Sequence, residues 1–248
     1  MSRGIAGITP ARLALLNGGS IASATLTEGL AVDFAQLLAA AVPDIGAVRL
    51  ERMRAQAAAG ITKRMVLAAQ LLLEADADLA VLQAHPSDTV RGWACFVIAA
   101  QAGSTLPQRL AAMRPLADDG HFGVREWAWL ALRPHLAASL DEAIRLLAPW
   151  TADPSQRVRR FACEALRPRG VWCAHIAQLK EQPQLALPLL QPLRADPAVY
   201  VQDSVANWLN DAAKRQPDWV RSLCAQWLLE SPNAATQRIC KRAQRSLA

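Results

Sequence analysis

The sequence predicts an all-α chain of stacked helical hairpins forming a right-handed solenoid, and three observations carry that expectation. Ala and Leu, both strong helix formers, dominate the 248 residues. The β-signature is weak, with few Thr, Tyr or Ile and no alternating apolar runs. One pattern also recurs in a shared register through the middle of the chain.

The recurring unit is centred on a valine. At Val90, Val124, Val158 and Val201 the segments read VRGWACFVIAA, VREWAWLALRP, VRRFACEALRP and VQDSVANWLND. The valines are spaced by 34, 34 and 43 residues. Pro115, Pro149 and Pro192 each precede one of the last three valines by nine positions. The turns Asp119-Gly120, Asp153-Pro154 and Asp196-Pro197 follow those prolines. Arg91, Arg125 and Arg159 come straight after the first three valines, and an Ala stands four residues after each. Each unit therefore reads as a helix ending near its proline, an Asp-containing turn that caps, and a second helix opening at the valine. Hairpins of this size stack as HEAT- or armadillo-like repeats around one continuous core. On the second helix, the valine and positions +4, +7 and +8 form the core stripe.

Outside the repeat the pattern is looser. Helices are expected over Thr25 to Leu38, Arg49 to Ala58 and Lys63 to Leu73, with Trp219 to Leu229 and Asn233 to Leu247 closing the stack. No linker divides the chain, so residues 1–248 are expected to form a single HEAT-like repeat domain.

Composition narrows the function classes. A net charge of +6 permits a polyanionic partner without demanding one. Five cysteines, odd in number and outside any CxxC pair, read as reduced thiols of a cytoplasmic protein. The apolar piece Leu13 to Leu16 is too short for a secretory core or a membrane span. His85, His121, His135 and His175 are scattered without ligand spacing, so no metal site is expected. His121, after Gly120 in a turn, reads as a surface residue. With no glycine-rich phosphate loop and no Ser-His-Asp pattern, any chemistry must use carboxylates, without a cofactor.

Carboxylates are found on one helical stripe. Positions +2, +6 and +9 or +10 from the valine share a face. They hold Glu126, Leu130 and Arg133, then Arg160, Glu164 and Arg167, then Asp203, Asn207, Asn210 and Asp211. In a solenoid that stripe lines the concave surface. A solvated face with local ion pairs would read the same way. The segment Arg167-Pro-Arg-Gly-Val-Trp-Cys173 forms a loop carrying Trp172, which either projects beside this face or folds into the core. Basic residues cluster at Arg157, Arg159, Arg160, Arg167 and Arg169, and again at Arg238, Lys241, Arg242 and Arg245. Both clusters suit phosphate contacts along a duplex, or a solvated face.

These residues carry a resemblance. VRRFACEALRPRGVW, DPAVYVQDSVANWLNDAAKRQPD, TQRICKRAQRSL, VREWAWLALRP, ATLTEGLAVDF and GITKRM resemble the AlkC branch of the AlkC/AlkD DNA glycosylases over nearly the whole chain. RPRGVW and SVANWLND are the most specific pieces. The resemblance implies a HEAT-like solenoid that excises N3-alkylated bases such as 3-methyladenine from duplex DNA, without flipping the base into a pocket. It implies Glu126, Glu164 and Asp211 as active-site acids and Trp172 against the deoxyribose of the lesion. Arg160 and Arg167 would contact the backbone or orient the acids. The wider set of expected DNA contacts adds Arg125, Arg159, Arg169, Asn207, Asn210, Arg238, Lys241, Arg242 and Arg245. The expected partner is double-stranded DNA containing alkylated bases, bound by a monomer in the bacterial cytoplasm, at the nucleoid and away from membranes. Some members carry an immunoglobulin-like domain after the solenoid, and none is expected here. The competing reading is a non-catalytic HEAT scaffold that binds DNA structures or a protein.

Overall fold

The computed structural model describes residue 4 and residues 7–170 and 172–247. Among them every regular element is a helix. In order these are α1 (Pro10–Asn17), α2 (Leu26–Ala31), α3 (Phe34–Ala41), α4 (Ala47–Ala55), α5 (Ile61–Glu74), α6 (Leu79–Gln83), α7 (Asp88–Ala100) and α8 (Leu106–Ala117). Then follow α9 (Phe122–Ala138), α10 (Leu140–Leu147), α11 (Gln156–Glu164), α12 (Ala177–Glu181), α13 (Leu187–Leu190), α14 (Val199–Ala213), α15 (Pro217–Glu230) and α16 (Ala234–Ala243). The chain divides into two compact units, Met1–Ala131 and Leu132–Ala248.

The repeat register holds. Val90, Val124, Val158 and Val201 are fully buried. So are their partners at +4, +7 and +8: Ala94, Val97 and Ile98; Ala128, Ala131 and Leu132; Ala162, Ala165 and Leu166; Val205, Trp208 and Leu209. Each helix opens two residues before its valine rather than at it. The turn aspartates do not cap these helices directly. Each instead accepts a hydrogen bond from the backbone N–H two residues on: Asp119 from His121 at 2.6 Å, Asp153 from Ser155 at 2.8 Å, and Asp196 from Ala198 at 2.8 Å. An Asx turn of this kind aims the chain into the helix that follows. Ser155, not Asp153, is the N-cap of α11.

The arginine after the valine closes the same turn. Arg91 donates to the carbonyls of His85 and Pro86, Arg125 to those of Asp119 and Gly120, and Arg159 to those of Asp153 and Pro154. Gln202 fills that position in α14 and donates to the Asp196 carbonyl. Arg91 and Arg159 also reach the aspartate of the next turn. Arg91 grips Asp119 at 2.8 and 3.3 Å, and Arg159 grips Asp196 at 2.6 and 3.0 Å. Asp196 is 5% exposed, so Arg159→Ala would strand a buried carboxylate. This variant is expected to lose about 3 kcal/mol of unfolding free energy. A urea titration showing a loss under about 1 kcal/mol, the worth of a surface pair, would count against the clamp.

The first unit departs from expectation in two places. The helix expected over Thr25 to Leu38 breaks at Val32 and Asp33, because the Asp33 carboxylate caps α3 by accepting from the N–H groups of Ala35 and Gln36. His121 is not a surface residue. Its Nδ1 accepts from the Gly123 N–H at 3.1 Å, and its Nε2 lies 2.6 Å from the Ser23 carbonyl. Ser23 is itself held by buried Asp88, through its N–H at 2.7 Å and its hydroxyl at 2.8 Å. The segment after α1 is thus tied to the start of α7 by Asp88 and to the turn before α9 by His121.

Candidate active site

Helix α11 stops at Glu164. Pro168 disfavours helix at the residue before it, and the Trp208 indole takes up the Leu166 carbonyl at 3.0 Å. Glu164 is 4% exposed, too buried for a solvated face. Its Oε1 accepts from Arg167 Nη1 at 2.7 Å and its Oε2 from the Ser204 hydroxyl at 2.5 Å. Arg160 Nη2 stands 3.6 Å from Oε2, and its guanidinium lies 4.8 Å from the centre of the Tyr200 ring. Arg167 turns its other edge to Asp211, donating from Nε at 3.0 Å and Nη2 at 2.8 Å, both to Oδ2. Among the described residues Asp211 Oδ1 takes no hydrogen bond.

One guanidinium therefore bridges two buried carboxylates, and their environments push them apart. Burial raises the Glu164 pKa, but Arg160, Arg167 and the Ser204 hydroxyl more than offset it, so the pKa falls below the usual glutamate range. At Asp211 burial outweighs Arg167, and the pKa is raised. Glu164 is a saturated anion, while Asp211 is a reluctant one with an open oxygen. That division suits Asp211 to take or orient a proton and Glu164 to hold Arg167 in place.

The loop after Arg167 is built tightly. The Ile176 N–H donates to the Pro168 carbonyl at 3.1 Å. A Cβ on Gly170 would overlap Cys173 Sγ, so this close approach requires glycine. Trp172 has φ +62°, the left-handed region, which costs a bulky residue roughly 1–3 kcal/mol. It is 53% exposed and so is not a core residue. Val171 lies outside the described residues. Beneath the loop lies Arg133, 2% exposed. It donates to the carbonyls of Ala165 at 3.0 Å, Arg167 at 2.7 Å and Ala174 at 3.1 Å. Burial lowers its pKa.

The remaining expected residues fall into several settings. Glu126, in the first unit, is half-buried and accepts from the Trp129 indole at 2.8 Å. Arg125 and Arg159 serve the turn clamp. Arg169 has a buried Nε with no hydrogen-bond partner among the described residues. Asn210 is 5% exposed, and its amide donates to Ala243 O at 3.0 Å and Ser246 Oγ at 2.7 Å, tying down the end of α16. Arg238 and Arg242 both meet Asp203 Oδ1, at 2.8 and 3.0 Å, and Arg245 donates to Asn207 Oδ1 at 2.9 Å. Lys241, Arg242 and Arg245 are exposed. Sequence reasoning missed the parts played by Ser204 and Tyr200. Ser204 sits at +3 of its helix with no pattern to mark it.

Among the described residues no His, Cys, Asp and Glu group could hold a metal ion, and no helix is long and apolar enough to cross a membrane. A family model described as DNA alkylation repair enzyme matches residues 123–243, and one for HEAT repeats matches residues 75–167. The solved structure of Pseudomonas fluorescens alkylpurine DNA glycosylase AlkC, bound to DNA containing an abasic site analog, is similar at TM-score 0.69 and 28% identity. That match covers 89% of this chain and 62% of AlkC. AlkD2 from Streptococcus mutans is similar at TM-score 0.57 and 22% identity, over 80% of this chain and 88% of its own, a likeness of fold alone. YhaZ of Bacillus subtilis (strain 168), an uncharacterized protein, is 41% identical over 76 residues, 31% of this chain and 21% of its own length. The chain thus spans less than two thirds of AlkC and of YhaZ. Residues 123–243 thus match the DNA alkylation repair enzyme family, and the chain is similar in fold to the HEAT-repeat AlkC and AlkD proteins.

Proposed function

We propose that this protein is a DNA glycosylase that releases N3-alkylated bases such as 3-methyladenine from duplex DNA. The observation that carries the reading is the pair of buried carboxylates bridged by Arg167, beside a loop that holds Trp172 exposed in a strained conformation. A scaffold has no use for an aspartate kept reluctant to ionise with one oxygen open.

The chemistry matches the residues. An N3-alkyl purine is already cationic, so it leaves with the electron pair of the C1′–N bond and needs no general acid. The sugar passes through an oxocarbenium-like state. Asp211 orients a water through Oδ1, the water oxygen bonds to C1′, and its proton passes to the carboxylate. The products are the free base and an abasic site. Glu164 and Asp211 place negative charge where the sugar becomes positive. The Trp172 ring adds cation–π attraction to the sugar. Glu126 is proposed as a further acid on its resemblance at VREWAW alone. Lys241, Arg242 and Arg245, exposed on α16, are proposed to meet phosphates.

Trp172→Ala is the variant to set beside the wild type in a single-turnover assay of base release from methylated duplex DNA. A cation–π contribution of about 1–2 kcal/mol corresponds to a loss on the order of tenfold. Since Trp172 is half exposed, and alanine keeps the Cβ that makes this positive φ unfavourable, the thermal midpoint of the variant should stay close to that of the wild type. An unchanged rate would remove Trp172 from the reaction.

A further inference from the structure

We infer that Arg133 is a positioning residue for this reaction: its buried guanidinium ties the neck of the 168–174 loop and so sets where Trp172 stands. The inference rests on the reading of Trp172 given above. Among the described residues Arg133 makes no hydrogen bond or ion pair to a side chain: its hydrogen bonds there go to carbonyls on the two strands of the loop neck, Ala165 and Arg167 on entry and Ala174 on exit. A loop that leaves and returns between those carbonyls would otherwise bury them without donors, at a cost for each. Lysine also carries three N–H donors, but all on one nitrogen; the guanidinium meets the three carbonyls from Nε, Nη1 and Nη2 in fixed directions that lysine does not reproduce.

The neck is closed on its other side by packing. Gly170 lies 3.5 Å, measured from the position of an added Cβ, from the Arg133 guanidinium carbon, and that same Cβ would overlap Cys173 Sγ. The loop is thus held between a fork of hydrogen bonds and a close contact that any residue larger than glycine would meet by pushing the Cys173 side chain aside. Both constraints act on the residues flanking Trp172, the one non-glycine residue besides Asp76 with positive φ among those described. A strained conformation persists only where its surroundings over-determine it, and these are the surroundings.

The test is a double-mutant cycle in single-turnover release of 3-methyladenine from methylated duplex DNA, with Arg133→Lys, Trp172→Ala and both together. Arg133→Lys is expected to slow release by up to roughly tenfold, the loss expected when the Trp172 ring is removed. Its affinity for undamaged duplex should stay within about twofold of the wild type. In the Trp172→Ala background, where the ring is already gone, the same change should cost little further. An equal loss in both backgrounds would show that Arg133 does not act through Trp172 and would overturn the inference alone. Trp172→Ala at the wild-type rate would instead overturn the reading of Trp172, and the inference with it. Should Arg133→Lys fail to fold, Gly170→Ala decides. Its rate should fall and then recover in Gly170→Ala/Cys173→Ala, where the sulfur that the new Cβ meets is gone. Wild-type rate in Gly170→Ala, or no recovery in the double variant, contradicts a loop set by its neck.

Discussion

Asp211→Asn is expected to slow base release by roughly 10²- to 10³-fold, the usual cost of removing one group that acts in the transition state. It should cost little stability, within about 1 kcal/mol. Burial makes the Asp211 charge unfavourable in the fold, and its pKa is raised above the ordinary 3.8. A carboxylate whose folded pKa is raised subtracts stability at neutral pH, and the deficit shrinks as pH falls through the folded value toward the ordinary one. The asparagine removes that deficit while keeping an acceptor for Arg167. The same shift sets the pH dependence of the wild type. The rate should decline as pH falls through the raised Asp211 pKa, because the protonated carboxyl cannot orient water as a base. Glu164, held below its ordinary 4.5, stays charged through that window. A wild-type rate in Asp211→Asn, or a wild-type rate that does not fall on acidification, would assign the water to another group.

Arg167→Met is expected to be the most destabilising change in the site, at about 3–5 kcal/mol, because it strands buried Asp211 and leaves Glu164 with only Arg160 and the Ser204 hydroxyl. Glu164 and Asp211 are 4% and 7% exposed and share this guanidinium. The deficit should shrink as pH is lowered. Without the guanidinium the Asp211 pKa, already raised by burial, rises further, so the folded state takes up a proton before the unfolded chain does. In the wild type the contribution of Glu164 has the opposite sign: it is present above the ordinary glutamate value and is lost as pH falls through the lowered one. Urea midpoints at pH 7 and pH 5 check this. An equal deficit at both would mean that Asp211 is not the group left unpaired.

The core of the repeat was legible because burial follows a short period. Every valine and every +4, +7 and +8 partner proved buried, for helical geometry alone puts those positions on one face. The turn aspartates were legible as turn residues. Their second role was not, because Arg91 meets Asp119 across 28 residues and Arg159 meets Asp196 across 37. For the same reason His121 read as a surface residue, its partner Ser23 lying 98 positions away. The acids Glu164 and Asp211 stood out by stripe and by resemblance, and the structure brings them to one arginine. Ser204 and the fork of Arg133 left no trace in the sequence. One is a lone hydroxyl inside a helix. The other works on carbonyls, which every residue carries.

Hydrolysis of the glycosidic bond of an alkylated base by the Glu164–Arg167–Asp211 cluster is tested most directly by release of free 3-methyladenine from methylated duplex DNA under single-turnover conditions, by the wild type and by Glu164→Gln/Asp211→Asn. The wild type is expected to release free base and leave abasic sites, while the double variant binds the duplex and releases none above background. A folded wild type that releases no base, or a double variant that matches its rate, would contradict hydrolysis by this cluster.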